Sequence, residues 1–276
     1  MQKNYLYIEK VERKMKSIEE QYKNSSNLNT RINIHDLYST NKEDWHIWLF
    51  DQYNISPNSN ILEIGCGDGT FWFKNRDRIP RGWNITLSDF SLGMIESAKN
   101  KLRDIPNITY RQLNIEEIPF GNNHFDVVIA NHMLYHVPNR QNALKEVRRV
   151  LKKNGVFYSS TIGKNHMREF GQLLNTFDKK IHYALAEDHA GEFGIENGEE
   201  QLRPYFNTVS YKNFPGDLEI TDVNAIVNYL VSTNAELYNI LQNEELNEFL
   251  RYLNSVKEVN NGAIRITKST GLFKSK

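Results

Sequence analysis

The run ILEIGCGDGT at 61–70 sets Gly65, Gly67 and Gly69 at alternate positions directly behind a short apolar segment. An apolar run of that length reads as a strand buried on both faces, and a stretch without side chains lets the backbone turn sharply behind it. Together they describe the mouth of an open α/β sheet, where nucleotides bind. The pattern recurs. The segments WNITLSD, NITYRQL, FDVVIAN and GVFYSST have strand character, and 91–102 and 140–151 have helical spacing, with Ser91 placed to cap the first helix and Asn154-Gly155 to stop the second. Five strand-to-helix units are expected in succession.

Outside this block the patterning is helical. Ile8, Val11, Met15, Ile18 and Tyr22 share one face of an N-terminal helix, and Trp45, Trp48, Leu49 and Tyr53 mark a second, ended by Ser56-Pro57-Asn58. After Thr161 the strand rhythm breaks into an insertion of helical stretches at 164–206, of the kind that shapes a site at one end of a sheet. A strand at 208–214, helices at 222–231 and 235–256, and a last strand at 263–267 complete the reading. The expected organisation is an N-terminal helical cap over 1–44 and a catalytic domain over 45–276, with 164–206 as a lid over the substrate.

Composition narrows the partners. Basic and acidic residues both number 34, so no bulk positive field exists to hold a nucleic acid or an anionic membrane. The single cysteine, Cys66, excludes an internal disulfide and cysteine-rich metal sites, and fits a reducing cytoplasm. Charges are scattered through the first residues, so neither a signal peptide nor a membrane span is expected. A small-molecule ligand and a cytoplasmic monomer or homodimer are the expectation.

The spacing of the glycines selects among nucleotides. A dinucleotide fingerprint needs its third glycine where this chain has Thr70, and no Lys-Ser/Thr pair follows to make a P-loop. Asp89, 20 residues beyond Gly69, ends the next strand, where a carboxylate can take both hydroxyls of a ribose. A nucleoside without phosphates is indicated. The rival reading of Asp89 is a helix N-cap.

With ILEIGCGDGT, LSDFS followed by MIESAK, RQLNIEEIPFGNNHFDVVIANHMLYHV and LKEVRRVLKKNGVF in order over 60–161, the chain resembles the class I S-adenosylmethionine-dependent methyltransferases, and among them the small-molecule enzymes of the type 11 kind. The resemblance implies a Rossmann-like α/β fold, with a seven-stranded, mostly parallel sheet flanked by helices and a helical insertion over the site. It implies S-adenosyl-L-methionine as cofactor and S-adenosyl-L-homocysteine as product. Glu63 would serve the methionine end; Gly65, Gly67 and Gly69 would let the backbone approach; Asp89 would take the ribose; Ser88, Phe90 and Met94 would border the adenine; Asn114 and Ile115 would face its amino edge; Asn131 and His132 would lie by the methionine moiety and the transferred methyl. Many relatives carry aspartate where this chain has Asn114, whose amide oxygen can still accept that hydrogen bond. Other roles stay open for these residues: Glu63 as a cap on a backbone amide, Met94 as core beside Ile95 and Ala98, Cys66 as a small packed side chain.

Methyl transfer from a sulfonium is an in-line displacement that depends on alignment, and an acceptor hydroxyl or protonated amine also needs a base. His132, Tyr135 and His136 are the candidate catalytic groups; if their segment is helical, the two histidines share a face. Two histidines without a third ligand are a weak zinc signal, and no metal is expected. His166, Arg168, Glu169, His189, Glu192 and Phe193 form a second group where relatives close over the acceptor, and Arg31, Tyr38, Asn41 and Trp45 lie where such families cover the cofactor. The alternatives are an RNA or protein acceptor, weakened by the zero net charge, and a cofactor-binding protein without turnover.

Overall fold

A computed structural model describes residues 26–181 and 183–276; the expected helix carrying Ile8 to Tyr22 lies outside them. Two helices, α1 (Ser26–Tyr38) and α2 (Trp45–Gln52), precede the sheet, the second N-capped by Asp44, whose carboxylate accepts from the amides of His46 and Ile47. Then follow β1 (Asn60–Ile64), the short α3 (Thr70–Lys74), β2 (Asn84–Asp89), α4 (Leu92–Lys101), β3 (Ile108–Gln112), β4 (Phe125–Asn131), α5 (Arg140–Val150) and β5 (Leu151–Ile162). Ser91 caps α4 through Met94 N, and Asn139 caps α5 through Asn142 N.

β3 and β4 are joined without a helix, so one of the five expected strand-to-helix units is incomplete. Gly155 falls inside β5 instead of stopping the preceding helix, which ends at Val150. The seven strands run in the order β3-β2-β1-β4-β5-β9-β6, where β6 is Val209–Phe214 and β9 is Thr270–Ser275; β9 alone runs against its neighbours. The expected seven-stranded, mostly parallel sheet is present. Strand order reverses between β1 and β4, the place where open α/β sheets leave a crevice at the carboxyl ends of their strands.

Alternation along β1 and β4 divides the core. Leu62, Ile64, Val128 and Ala130 pack on one face with Phe157, Phe193 and Phe273, while Ile61, Val127 and Ile129 pack on the other with Ile85, Leu87 and Trp72.

A third core stands apart from the sheet. It is built from Ile34 of α1, Phe170 and Leu174 of α6 (Arg168–Phe177), Leu218 of β7 (Leu218–Ile220), Ile226 and Leu230 of α9 (Val223–Thr233), Phe249 of α11 (Asn243–Val259) and Ile266 of β8 (Ile264–Ile266). Between these lie α7 (Leu185–Phe193), α8 (Gly198–Leu202) and α10 (Ala235–Ile240).

Two expectations are corrected here. The strand at 263–267 pairs with β7 in a separate two-stranded sheet, because alternating Ile264 and Ile266 face this third core; the seventh strand of the main sheet is β9. The helix expected over 235–256 is two helices, since Gln242 is extended at φ −127° and ψ 155° and Asn243 takes φ 51°.

Candidate active site

Burial of apolar surface against both α1 and the third core leaves a cavity of about 460 Å³ over the carboxyl ends of β1, β2 and β4. The glycine turn forms its floor. Gly65, Gly67 and Gly69 take φ of 73°, 56° and 78°, a region that side chains disfavour. Their surroundings differ. A Cβ on Gly65 would stand 2.9 Å from Met133 and one on Gly67 3.2 Å from Leu28 of α1, both within the cavity wall, whereas one on Gly69 would stand 2.7 Å from Leu102 at the end of α4. Gly69 therefore serves helix packing, and it does not line the cavity.

Asp89 closes the turn from the neighbouring strand. Its carboxylate accepts from Gly67 N at 2.9 Å and Ser91 N at 2.9 Å, one bond to each oxygen, which leaves a lone pair on each. The helix cap is Ser91, so the rival reading of Asp89 does not hold. Burial pushes its pKa up, against the pull of the Ser91, Gly67 and Phe90 amides. Asp68 is pinned by Lys101 and by Thr70 Oγ1, fixing the far side of the turn.

Glu63, 2% exposed on the inner end of β1, accepts from Trp72 Nε1 and, at 3.1 Å, from Asn131 Nδ2. Asn131 in turn accepts from the Tyr53 hydroxyl at 3.0 Å. Two neutral donors do not offset burial, and the carboxyl pKa rises to about 7. Trp72 and Tyr53 escaped the sequence reading because only the fold brings them to Glu63.

Phe90, Asn114 and Ile115 also line the cavity, with Asn114 Oδ1 already accepting from Glu116 N. Met94 is fully buried with Ile95 and Ala98 and does not line it; Ser88 gives its hydroxyl to Glu63 O at 2.7 Å, also away from the wall. Cys66 lines the cavity with its thiol pushed well up by burial, which makes it a poor nucleophile.

Six of the seven histidines among the described residues border this cavity: His35, His46, His132, His136, His166 and His189. His132 and His136 do not share a helical face. His132 takes φ 50°, its amide bonded to Ser160 across the sheet, and only a 3-10 turn, Leu134–His136, follows. The His132 ring packs 5.2 Å from Trp45, while His136 packs edge-on to Tyr135 and His189 at 4.6 and 4.9 Å.

Burial holds His132 at about 4 and His35 at about 3, so both are neutral at pH 7. Thr270 Oγ1 donates to Thr161 O at 3.0 Å and so can only accept from His132 Nε2, 3.5 Å away, an arrangement that favours the Nε2–H tautomer and leaves Nδ1 as the basic atom. Among the described residues no group of three His, Cys, Asp or Glu is placed to hold a metal ion.

Of the group expected over the acceptor, His166, Arg168 and His189 line the cavity. Glu169 instead accepts from Thr267 N and Oγ1, Glu192 pairs with Arg140, and Phe193 belongs to the sheet core. Arg31 and Trp45 line the cavity, whereas Asn41 ties to Pro215 O and Tyr38 packs on the third core.

The residues fit S-adenosylmethionine: a side-chain-free cradle, a carboxylate with a spare lone pair on each oxygen for a ribose, and a buried acid for an ammonium. Comparison with known proteins agrees. A family profile described as a methyltransferase domain matches residues 62–159. The chain is 29% identical over 140 residues to the ubiquinone/menaquinone biosynthesis C-methyltransferase UbiE of Vibrio cholerae, covering 50% of this chain and 54% of that one. It thus spans about half the length of the curated relatives it matches. Its fold resembles that of YcgJ from Bacillus subtilis (TM-score 0.54, 18% identity, 83% of this chain and 96% of that one). It also resembles phosphoethanolamine N-methyltransferase 2 of Haemonchus contortus in complex with S-adenosyl-L-methionine (TM-score 0.55, 15% identity, 90% and 56%). By residues 62–159, by the glycine turn with its Asp89 clamp and by its sheet order, the chain is similar to the class I S-adenosylmethionine-dependent methyltransferases.

Proposed function

We propose that the protein transfers a methyl group from S-adenosylmethionine to a small molecule held in the same cavity. The observation that carries this reading is convergence. The glycine turn, Asp89, Glu63 and Asn114 line one part of a cavity of about 460 Å³, and His132, His166, Trp45 and Tyr229 line another part of it. α1 lies over the turn through Leu28, and the third core closes the far wall, an enclosure suited to a small acceptor. The cofactor, when bound, supplies an electrophilic methyl group on a sulfonium.

The chain's own residues supply the rest. Asp89 orients the ribose, and Glu63, steadied by Trp72 and Asn131, takes the ammonium. Asn114 and Ile115 flank the adenine. His132 Nδ1 takes a proton where the acceptor has one to lose, its ring held by Trp45 and Thr270. Tyr135, stacked on His189, and His136, edge-on to it, bound the acceptor.

Titration calorimetry tests the reading. S-adenosylhomocysteine is expected to bind with a dissociation constant in the micromolar range, while NAD gives no heat. Absence of heat with S-adenosylhomocysteine from folded protein, or tighter binding of NAD, would overturn it.

A further inference from the structure

The run Lys268-Ser269-Thr270, between β8 and β9, brings three groups to the cavity wall at once. Lys268 is half-buried there. Its ammonium donates to Ser39 Oγ at 2.9 Å and lies 5.0 Å from the Phe214 ring centre. Among the described residues it makes no ion pair: Asp217, which accepts from the Lys268 amide, gives its carboxylate to the Arg265 guanidinium instead. Burial without a carboxylate partner lowers the lysine pKa, the mark of a cation held ready for an anion.

Ser269 N donates to His166 Nδ1 at 3.1 Å, which fixes the proton of that imidazole on Nε2. His166 Nε2–H has no hydrogen-bond acceptor among the described residues, and His166 lines the cavity. Its ring stacks 6.1 Å from His35, and both rings feel the Lys268 charge. Thr270 Oγ1 meets His132 Nε2, as described above. The next residues inward, Phe214, Trp45 and Tyr229, are aromatic.

We propose that Lys268 and His166 form a carboxylate-binding subsite, so that the methyl acceptor is a small aromatic or otherwise apolar carboxylic acid. The proposal rests on the methyltransferase reading for the word acceptor, and on the cavity alone for the subsite. Two donors meet a two-oxygen anion. Lys268 brings the charge to this corner and His166 a neutral N–H, since His35, His132 and His166 are all neutral at pH 7. The aromatic lining takes the remainder of the molecule, and the acid is anchored beside the element that carries His132.

The test uses benzoate and its neutral isostere benzamide as probes, titrated into the protein with and without saturating S-adenosylhomocysteine. Benzoate is expected to bind at least tenfold more tightly than benzamide in both conditions. Lys268→Met and His166→Phe should each remove most of that preference while S-adenosylhomocysteine affinity stays within twofold of wild type. Equal binding of the two probes to wild-type protein overturns the subsite, whatever the variants do. So does a preference for benzoate that survives in folded Lys268→Met. Failure of S-adenosylhomocysteine to bind would instead remove the methyltransferase reading, and the probe comparison in its absence would still decide the subsite.

Discussion

Replacing Asp89 with alanine is expected to weaken S-adenosylhomocysteine binding by at least tenfold, and by about a hundredfold if both ribose hydroxyls bond the carboxylate. The expectation follows from two losses at one residue. A hydrogen bond to a charged acceptor contributes about 1.5–3 kcal/mol, and each factor of ten in affinity corresponds to about 1.4 kcal/mol. Alanine would also release the amides of Gly67 and Ser91, so the turn at φ 56° would lose the clamp that holds it to β2. Asp89→Asn separates the two effects. The amide keeps the shape and one acceptor oxygen, so it should retain more of the thermal stability than alanine while still losing at least tenfold in affinity. Calorimetry with a thermal melt of each variant reads both quantities. Unchanged affinity in Asp89→Ala would take this carboxylate out of the site.

Binding of S-adenosylhomocysteine near pH 7 is expected to release about half a proton from Glu63. Burial raises this carboxyl from 4.5 to about 7 in the folded protein, so folding favours the protonated form. Its contribution to stability is therefore fully present below pH 4.5 and declines as pH rises towards 7, by roughly 3 kcal/mol in all, from about 1.4 kcal/mol per pH unit; above 7 it is flat. A ligand ammonium set beside the carboxyl favours the ionised form and drives the proton off. Ligand affinity should then rise between pH 5.5 and 7.5 and level off above. Calorimetry in phosphate and in Tris, whose ionisation enthalpies differ, measures the released proton directly. Glu63→Gln should abolish the release. Heat that is independent of buffer in the wild-type protein would contradict the role given to Glu63.

Legibility in the sequence followed locality. Strands β1 and β4 are largely apolar runs because both their faces are buried, β2 alternates Ile85 and Leu87 with polar residues, and Ser91 caps α4 through a contact only three residues long. The glycine turn and Asp89 could be recognised together because both lie at strand ends in one unit. β9 was hidden. Its sequence, TGLFKS, has neither alternation nor an apolar run, and it is buried only because β5 and β6 flank it. The third core was hidden for a related reason: its members come from Ile34, from residues of α6 and from positions beyond 215, so no single window shows a domain. The insertion expected over 164–206 spans α6 to α8, while the third core also draws on β7, α9 to α11 and β8 beyond it.

The catalytic segment shows the same limit at the scale of one residue. Helical spacing would have placed His132 above His136, but the His132 amide is claimed by Ser160 on β5, 28 positions away, and the backbone turns left-handed to meet it. Lys268 carried no local signal at all, since its place in the cavity depends on β9 returning along β5. No helix among the described residues is long and apolar enough to cross a membrane.

A crystal structure with S-adenosylhomocysteine bound is the most direct measurement. The ribose hydroxyls should lie about 2.7–3.2 Å from the Asp89 carboxylate, with the amino group near Glu63 and the sulfur facing the space between His132 and Tyr135. Density for the ligand outside this cavity, or a ribose turned away from Asp89 with the glycine turn still covered by Leu28, would contradict the assignment.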